Sequence, residues 1–241
     1  MKHFFFFATI SFFIFSCGDG KPVVNTDSIR ADSAVKAQLA IKPDSAIKTK
    51  DTMHMVALPP VMEGDLVFQI DTSEQCMAFG KATGSKYNNV GMIFIRPKDR
   101  LYMVVEAKDS VHTTPLTEWV DRGQGHHVAL MRIKNANQFL TEKKTTILKQ
   151  RIKEMRGKMN DHYFSWSDDE IYCSEMVWKA YNDAVHIPLC TQHKLSEYDL
   201  SGPLVKQQMQ NKYNGKIPKE EKVVSPEDLY KSPQLELIYE H

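Results

Sequence analysis

The chain lacks a charge excess, a metal-binding cysteine pattern and any internal repeat. Its 241 residues include 31 basic and 30 acidic side chains, a formal net charge of +1, so no overall field would attract a polyanion. The cysteines are few, namely Cys17, Cys76, Cys173 and Cys190, and they form no C-x-x-C pair and have no neighbouring histidine cluster. The sequence therefore predicts no nucleic-acid partner, no metal and no cofactor.

An apolar run near the N-terminus is too short to span a bilayer. It extends from Phe4 to Phe15 after a start that contains a lysine, which is typical of a secretion signal. The run leads into Ile14-Phe15-Ser16-Cys17-Gly18, which resembles a bacterial lipobox, in which the signal is cut before the cysteine and the thiol receives a lipid. We therefore predict a lipoprotein signal at residues 1–17, with lipidation at Cys17.

Acyl chains on Cys17 would hold the protein at a membrane surface without spanning the membrane. The predicted location is the bacterial cell envelope, after export across the inner membrane, with the lipid anchor in the outer membrane or the periplasm. A secreted protein without lipid is the alternative, because Phe15 departs from the small residues that are usual before a lipidated cysteine.

Residues 18–60 have the composition of a flexible linker. Lys, Asp, Ser, Thr and Pro dominate this segment, and its scattered apolar residues cannot bury enough surface to offset the entropy of ordering. Only residues 32–47 show a weak helical spacing. The chain as a whole is 42% hydrophobic, enough to supply the core of one good-sized domain. We place that domain at residues 61–241.

Within this domain, β-rich runs bounded by turn residues precede helical patterns, an order that predicts an α+β fold with antiparallel strand pairing. Thr141 is a plausible N-cap for a helix that ends near Gly157, and Ser225-Pro226 is a helix start. From Pro188 to His241 we otherwise expect irregular structure and short helices. The predicted strands are Leu66–Ile70, Val90–Ile95, Leu101–Ala107 and Val128–Ile133, and a short helix is predicted at about 74–82.

The segment that begins at Cys173 has the pattern of an amphipathic helix with the cysteine in its first turn. Unpaired N–H groups and the helix dipole at such a position lower the pKa of a thiol and favour the reactive thiolate. The alternative is a cysteine that fills a gap in the core. The buried stripe of this helix is predicted to comprise Met176, Val177, Ala180, Tyr181 and Ala184.

Several landmarks occur in an order that resembles one family. They are Gly64-Asp65-Leu66-Val67-Phe68-Gln69, Tyr87-Asn88-Asn89-Val90-Gly91-Met92, Val105-Glu106-Ala107, Thr114-Pro115-Leu116, Trp119, Phe164-Ser165-Trp166-Ser167-Asp168-Asp169, Tyr172-Cys173-Ser174-Glu175, Lys194-Leu195-Ser196-Glu197-Tyr198-Asp199-Leu200 and Val224-Ser225-Pro226. Over residues 61–239 the chain resembles the YiiX/YaeF-like group of permuted NlpC/P60 (papain-like) cysteine hydrolases. The resemblance implies a thiol helix packed on an antiparallel sheet, with the histidine strand before the cysteine. It also implies that Cys173 is the nucleophile and Glu106 the polar orienting group.

The chain departs from this family at one position. Where the family carries histidine in a Tyr-Ser-His-x-Gly setting, this sequence has Asn89, and Asn88 replaces the serine. A carboxamide cannot accept a proton at ordinary pH, and general-base help is typically worth ~10²- to 10⁴-fold in rate.

Three accounts of this site remain open. A base-free thiolate could act with Asn89 as a hydrogen-bond donor to the oxyanion, another histidine could supply the base, or the domain could be a binding module without turnover. The histidines in the middle of the chain are His112, His126, His127 and His162.

We predict a cysteine hydrolase of the amidase or peptidase type, weakened by Asn89, with Cys173, Glu106 and Asn89 as its site. Its expected substrates are peptides, cell-wall cross-links or lipid-linked amides, and its expected membrane contact is the lipid anchor. The alternatives are an inactive binding module of the same fold and a thiol-dependent acyltransferase that passes the acyl group to a lipid.

Overall fold

A computed structural model describes residues 60–241, and its centre is a six-stranded sheet. The spatial order of the strands is β4-β3-β2-β1-β5-β8, and every neighbouring pair is antiparallel. The predicted signal, the lipidation site at Cys17 and the linker up to residue 59 lie outside the described residues. The strands are β1 (Leu66–Gln69), β2 (Asn89–Ile95), β3 (Tyr102–Ala107), β4 (Val111–Pro115), β5 (Val128–Ile133) and β8 (Leu235–Glu240), while β6 (His193–Lys194) and β7 (Lys222–Val223) form a separate pair.

Helices fill the connections between the strands, and several begin at a side-chain cap. Ser73, Thr141 and Ser225 each accept a backbone N–H from the first turn of their helix, as N-cap residues do. The predicted starts at Thr141 and Ser225 are therefore confirmed. The helices are α1 (Glu74–Thr83), α2 (Leu116–Asp121), α3 (Ala136–Phe139), α4 (Glu142–Met155), α5 (Cys173–Val185), α6 (Pro203–Tyr213) and α7 (Pro226–Tyr230).

Both faces of the sheet are covered, because its central strands are apolar on both sides. On one face Phe68, Val90 and Met92 belong to a core that includes the apolar stripe of α5. On the other face Val67 and Ile93 pack with side chains of α2. The prediction of an α+β fold, with an antiparallel sheet packed against the helix that carries Cys173 at its start, is confirmed.

The expectation of irregular structure and short helices after Pro188 is wrong in two places. The helix α6 has 11 residues, and β8 pairs with β5 at the edge of the sheet. Neither has a strong pattern in the sequence, since α6 buries only Val205 and Met209 and β8 buries only Leu235. Pairing and packing with distant residues stabilise these elements, so local periodicity could not predict them.

A buried ion pair anchors the chain where it enters the sheet. Asp65, which is only 1% exposed, accepts hydrogen bonds from Nε and a terminal nitrogen of Arg132, both at 2.7 Å. It also accepts the backbone N–H of Met62 at 2.7 Å. Next to it, Tyr181 of α5 donates its hydroxyl to the carbonyl of Gly64. Asp65 is thus more than a turn residue, because it links β1 to β5 beside the contact that fixes α5.

We expect Arg132→Met to lower the free energy of unfolding by about 3–5 kcal/mol, because removal of one partner leaves the buried carboxylate of Asp65 without its counter-charge. Urea unfolding followed by circular dichroism measures this change. Arg151→Met is the matched control, since Arg151 pairs with Glu154 and Asp183 with its side chain 43% exposed. We expect the control to cost less than about 1 kcal/mol, and equal losses in the two variants would contradict the buried-pair account.

Candidate active site

Cys173 is the first residue of α5, and the segment around it is fixed by backbone hydrogen bonds. Tyr172 precedes the helix and donates its N–H to Glu175 at 3.3 Å. The phenol of Tyr172 accepts the N–H of Val224 at 3.1 Å, while Ser174 donates its hydroxyl to the carbonyl of Val224 at 2.7 Å. Tyr172 and Ser174, the two neighbours of the cysteine, are therefore both hydrogen-bonded to Val224.

Glu175 in the first turn is completely buried, and Lys179 lies 2.8 Å from it one turn later. Burial raises the pKa of the Glu175 carboxyl to about 7, although Lys179 and the N–H of Tyr172 act to lower it. Glu175, the ionisable side chain nearest to Cys173 along this helix, therefore titrates near neutral pH.

The cysteine lines a small enclosed cavity of about 30 Å³. Its wall brings Cys173 together with Asn89, as the resemblance led us to expect, but it does not include Glu106. Such a volume has room for about one or two water molecules. The lining residues are Gln75, Cys76, Phe79, Asn88, Asn89, Ala107, Asn160, Phe164, Tyr172 and Cys173.

The prediction that the helix start lowers the pKa of Cys173 is wrong in this structure. Burial raises the pKa of the thiol to about 11, since the side chain is only 8% exposed. Hydrogen bonds from the backbone N–H groups of Val90 and Ser174, and from the Ser174 side chain, act in the opposite direction. The helix-start donor that the sequence predicted is present as the N–H of Ser174, and β2 adds the N–H of Val90, but the loss of hydration outweighs both.

The two asparagines at the start of β2 have different surroundings. Asn88 accepts the N–H of Asp71 at 2.7 Å and donates its amide to the carbonyl of Asp71 at 2.9 Å, which fixes its side chain. Asn89 is 7% exposed, and its side chain has no hydrogen-bond partner among residues 60–241. The Asn89 amide is therefore available to a group that enters the cavity, as a donor or acceptor of a hydrogen bond but not as a base.

Glu106 lies on β3, and the alternation of the paired strands puts its side chain on the same face of the sheet as that of Asn89, opposite to the side chain of Ala107. It is 1% exposed, accepts the Thr114 hydroxyl at 2.5 Å and pairs with Arg122. His112 approaches it with Nε2 at 3.4 Å. Within the described part of the chain, no hydrogen bond links Glu106 to Asn89, and the orienting role of Glu106 stays a prediction.

Among the histidines in the middle of the chain, His162 is joined to the cavity wall. Its Nδ1 lies 2.6 Å from Oε1 of Gln75, which lines the cavity. His112 lies beside Glu106, whereas His126 and His127 are exposed before β5.

Sequence reasoning missed the contribution of α1 and of the loop before α5 to this cavity. Gln75, Cys76 and Phe79 lie on one face of α1, a helix that was predicted but carried no recognisable chemical motif. Phe164 stacks on Phe79 with ring centroids 4.5 Å apart, and its φ of 55° lies in the left-handed region, which is uncommon for a bulky residue. The spacing of Gln75 and Phe79 at i and i+4 was the available signal.

The residues from 60 to 241 hold no group of three or more His, Cys, Asp and Glu side chains placed to bind a metal ion. In the same range, none of the helices combines the length and the apolar character needed to cross a membrane.

Comparison with known proteins places the chain in a family. The protein named "Uncharacterized protein YiiX" of Escherichia coli strain K12 is 39% identical over 175 residues, which cover 73% of this chain and 84% of that protein. The crystal structure of the protein described as metalloprotein yiiX from Escherichia coli O157:H7 superposes with a TM-score of 0.70 at 38% identity, covering 75% of this chain and 97% of that one. The described residues of this chain do not offer the metal-ligand cluster that this description would lead one to seek. The model of the family described as "Permuted papain-like amidase enzyme, YaeF/YiiX, C92 family" matches residues 60–239, and the chain therefore belongs to that family.

Proposed function

We propose that the chain is a cysteine hydrolase that cleaves an amide or related acyl bond in the bacterial cell envelope, with Cys173 as its nucleophile. The observation that carries this proposal is the placement of Cys173 at the start of α5, in a cavity that Asn89 also lines. Membership of a papain-like amidase family supports the hydrolase class. The lipobox-like segment that ends at Cys17 supports the location, and peptide cross-links of the wall or lipid-linked amides are the substrates that fit it.

The reaction requires that the Cys173 thiol lose its proton and its sulfur attack the substrate carbonyl carbon. The C–N bond then breaks, the amine leaves with a proton, and water hydrolyses the thioester to free acid and thiol. The backbone N–H groups of Val90 and Ser174 favour the ionised sulfur, and the Asn89 amide can donate to the oxyanion of the tetrahedral intermediate. The polar groups that the chemistry needs are present, except for a base at position 89.

The raised pKa of Cys173 keeps its thiol protonated at neutral pH, so the proposed reaction is slow without a base. The cavity of about 30 Å³ is also too small for an acyl group, so a substrate has to displace the aromatic wall formed by Phe79 and Phe164. Protonation of the thiol and its limited access therefore both lower the rate of the proposed reaction, while the fold of the family is retained.

We assign to His162 the role of general base, which the Asn89 amide cannot perform. When Nδ1 donates its proton to Oε1 of Gln75, Nε2 is left as an acceptor, which is the tautomer that a general base requires. In this arrangement the side-chain carbonyl of Gln75 orients the histidine, as the third residue of a catalytic triad does. His162 lies in an exposed loop, which makes it a less confined base than a histidine on β2.

A binding module without turnover is the second candidate function. The observation that favours it is the protonated, nearly inaccessible thiol beside a neutral amide at position 89. Such a site could hold a peptide or acyl group by hydrogen bonds alone.

The alkylation rate of Cys173 by iodoacetamide should rise about tenfold per pH unit between pH 7 and pH 10, because only the thiolate reacts and the pKa is about 11. Mass spectrometry of the cysteine peptides measures this rate, with a small free thiol of pKa ~8.5 as the reference that levels off earlier. A rate for Cys173 that is already constant at pH 7 would show an ionised thiol and contradict the burial argument.

Asn89→His should raise the hydrolysis rate at pH 7 by about 10²- to 10⁴-fold on a panel of acyl and peptide substrates, because it restores a proton acceptor beside the thiol. Asn137→His is the matched control, since Asn137 is exposed and does not line the cavity, and it should give no gain. Cys173→Ala in the Asn89→His background should abolish the gained activity. No activity in any variant, together with unchanged substrate binding by Cys173→Ala, would support the binding module.

His162→Ala should reduce the residual wild-type activity by about tenfold or more, through the loss of the base, while leaving the Asn89→His variant unaffected. Measurement of kcat and KM should show that the loss is in kcat, because a base acts on the chemical step and not on substrate binding. His126→Ala, which changes an exposed histidine of the middle chain, serves as the control. Equal activity of the His162→Ala variant and the wild type would exclude His162 as the base.

A further inference from the structure

A second cavity, separate from the cysteine site, lies between α4 and the strands β2, β3 and β4. It is an open groove of about 510 Å³ and shares no lining residue with the cavity of Cys173. Both the strands and the helix contribute apolar side chains to its floor. The floor residues are Phe94, Met103, Val105 and Val111 of the strands and Ile152 of the helix.

The rim of this groove is basic, although the chain as a whole has a net charge of only +1. Four cationic side chains line the groove, together with one histidine and no acidic residue. An apolar floor inside a basic rim matches a ligand with an apolar body and an anionic end. The basic residues are Arg96, Lys149, Lys153 and Arg156, and the histidine is His112.

The four cations differ in how far the protein neutralises them. Arg96 donates two hydrogen bonds to Asp99 at 2.8 and 2.7 Å, and Lys149 lies 2.7 Å from Glu63. In the described part of the chain, Lys153 and Arg156 have no ion-pair partner. The uncompensated charge is therefore concentrated at one end of the groove.

That end lies where α4 meets β4. Lys153 lies in the last turn of α4, and Arg156 is the residue at which the helix ends. The hydrogen bond from Gly157 N–H to the carbonyl of Val111, at 2.9 Å, holds this end of the helix against the strand. Cations are common at a helix C-terminus because of the helix dipole, but the dipole does not account for the apolar floor between the helix and the sheet.

We propose that this groove binds a single-chain fatty acid, with its carboxylate at Lys153 and Arg156 and its chain along the apolar floor. A volume of about 510 Å³ lies within the range of small-molecule sites, and the apolar floor suits one acyl chain. The guanidinium of Arg156 suits a carboxylate because its fork can donate two parallel hydrogen bonds. This binding does not depend on Cys173.

The test is titration calorimetry of the full-length protein with dodecanoate below micelle-forming concentrations. We expect measurable binding that becomes at least tenfold weaker in the double variant Lys153→Glu/Arg156→Glu. Lys143→Glu/Lys144→Glu is the matched control, since it makes the same change of four charges at positions of α4 that do not line the groove. This control and Cys173→Ala should both bind dodecanoate like the wild type, which separates the groove from the proposed catalysis.

Two further ligands test the basic end and the apolar floor of the groove separately. They are used with the wild-type protein, so no substitution can alter its stability. Dodecylammonium has the same chain with the opposite charge and should bind at least tenfold more weakly than dodecanoate. Hexanoate has the same head and half the chain, and it should bind far more weakly because each buried methylene contributes to affinity. Absence of dodecanoate binding, or equal binding of dodecylammonium, would overturn the proposal. Tighter binding of a lysophospholipid than of the free acid would overturn it in favour of a lipid headgroup.

Discussion

The packing of α5 against the sheet determines both the architecture and the chemistry of this domain. The apolar stripe of the helix meets β1, β2 and β3 in the main core, and the hydroxyl of Tyr181 fixes the helix to the carbonyl of Gly64. The same contact presses the first residue, Cys173, against the N–H of Val90 and removes it from water. The hydrogen bond from Val90 and the desolvation of the thiol therefore both result from this packing, and they shift the pKa of the thiol in opposite directions. In this chain desolvation is the larger effect.

The sequence predicted the parts of the fold whose signals are local. The strands β1, β2, β3 and β5 and the helices α4 and α5 have periodic apolar residues, and Thr141 and Ser225 are side-chain caps. The strand β8 escaped prediction because its pairing with β5, and not an alternation of its own side chains, defines it. Local sequence patterns were also insufficient to predict the whole site. Cys173 was recognisable from its helix start, but Gln75 and Cys76 come from almost 100 residues earlier in the chain, and only the tertiary structure brings them to the thiol.

Position 89, where the family resemblance implies a histidine, contributes little to the local fold. The turn before β2 is held by the paired hydrogen bonds between Asn88 and Asp71, which do not involve the Asn89 side chain. An amide and an imidazole can therefore alternate at position 89 without disturbing the strand that carries it. Under the proposed function, the residue at this position would affect proton transfer and not folding.

The sheet edge formed by β8 also reaches the candidate site. Glu240, at the end of that strand, accepts hydrogen bonds from the hydroxyl of Tyr87 at 2.9 Å and from Lys86 at 2.6 Å, just before Asn88 and Asn89. These contacts join residues more than 150 positions apart in the chain, and such contacts form late because a long loop has to close first. During synthesis, these bonds can form only after β8 has been made, so the segment that leads into β2 lacks them in the emerging chain.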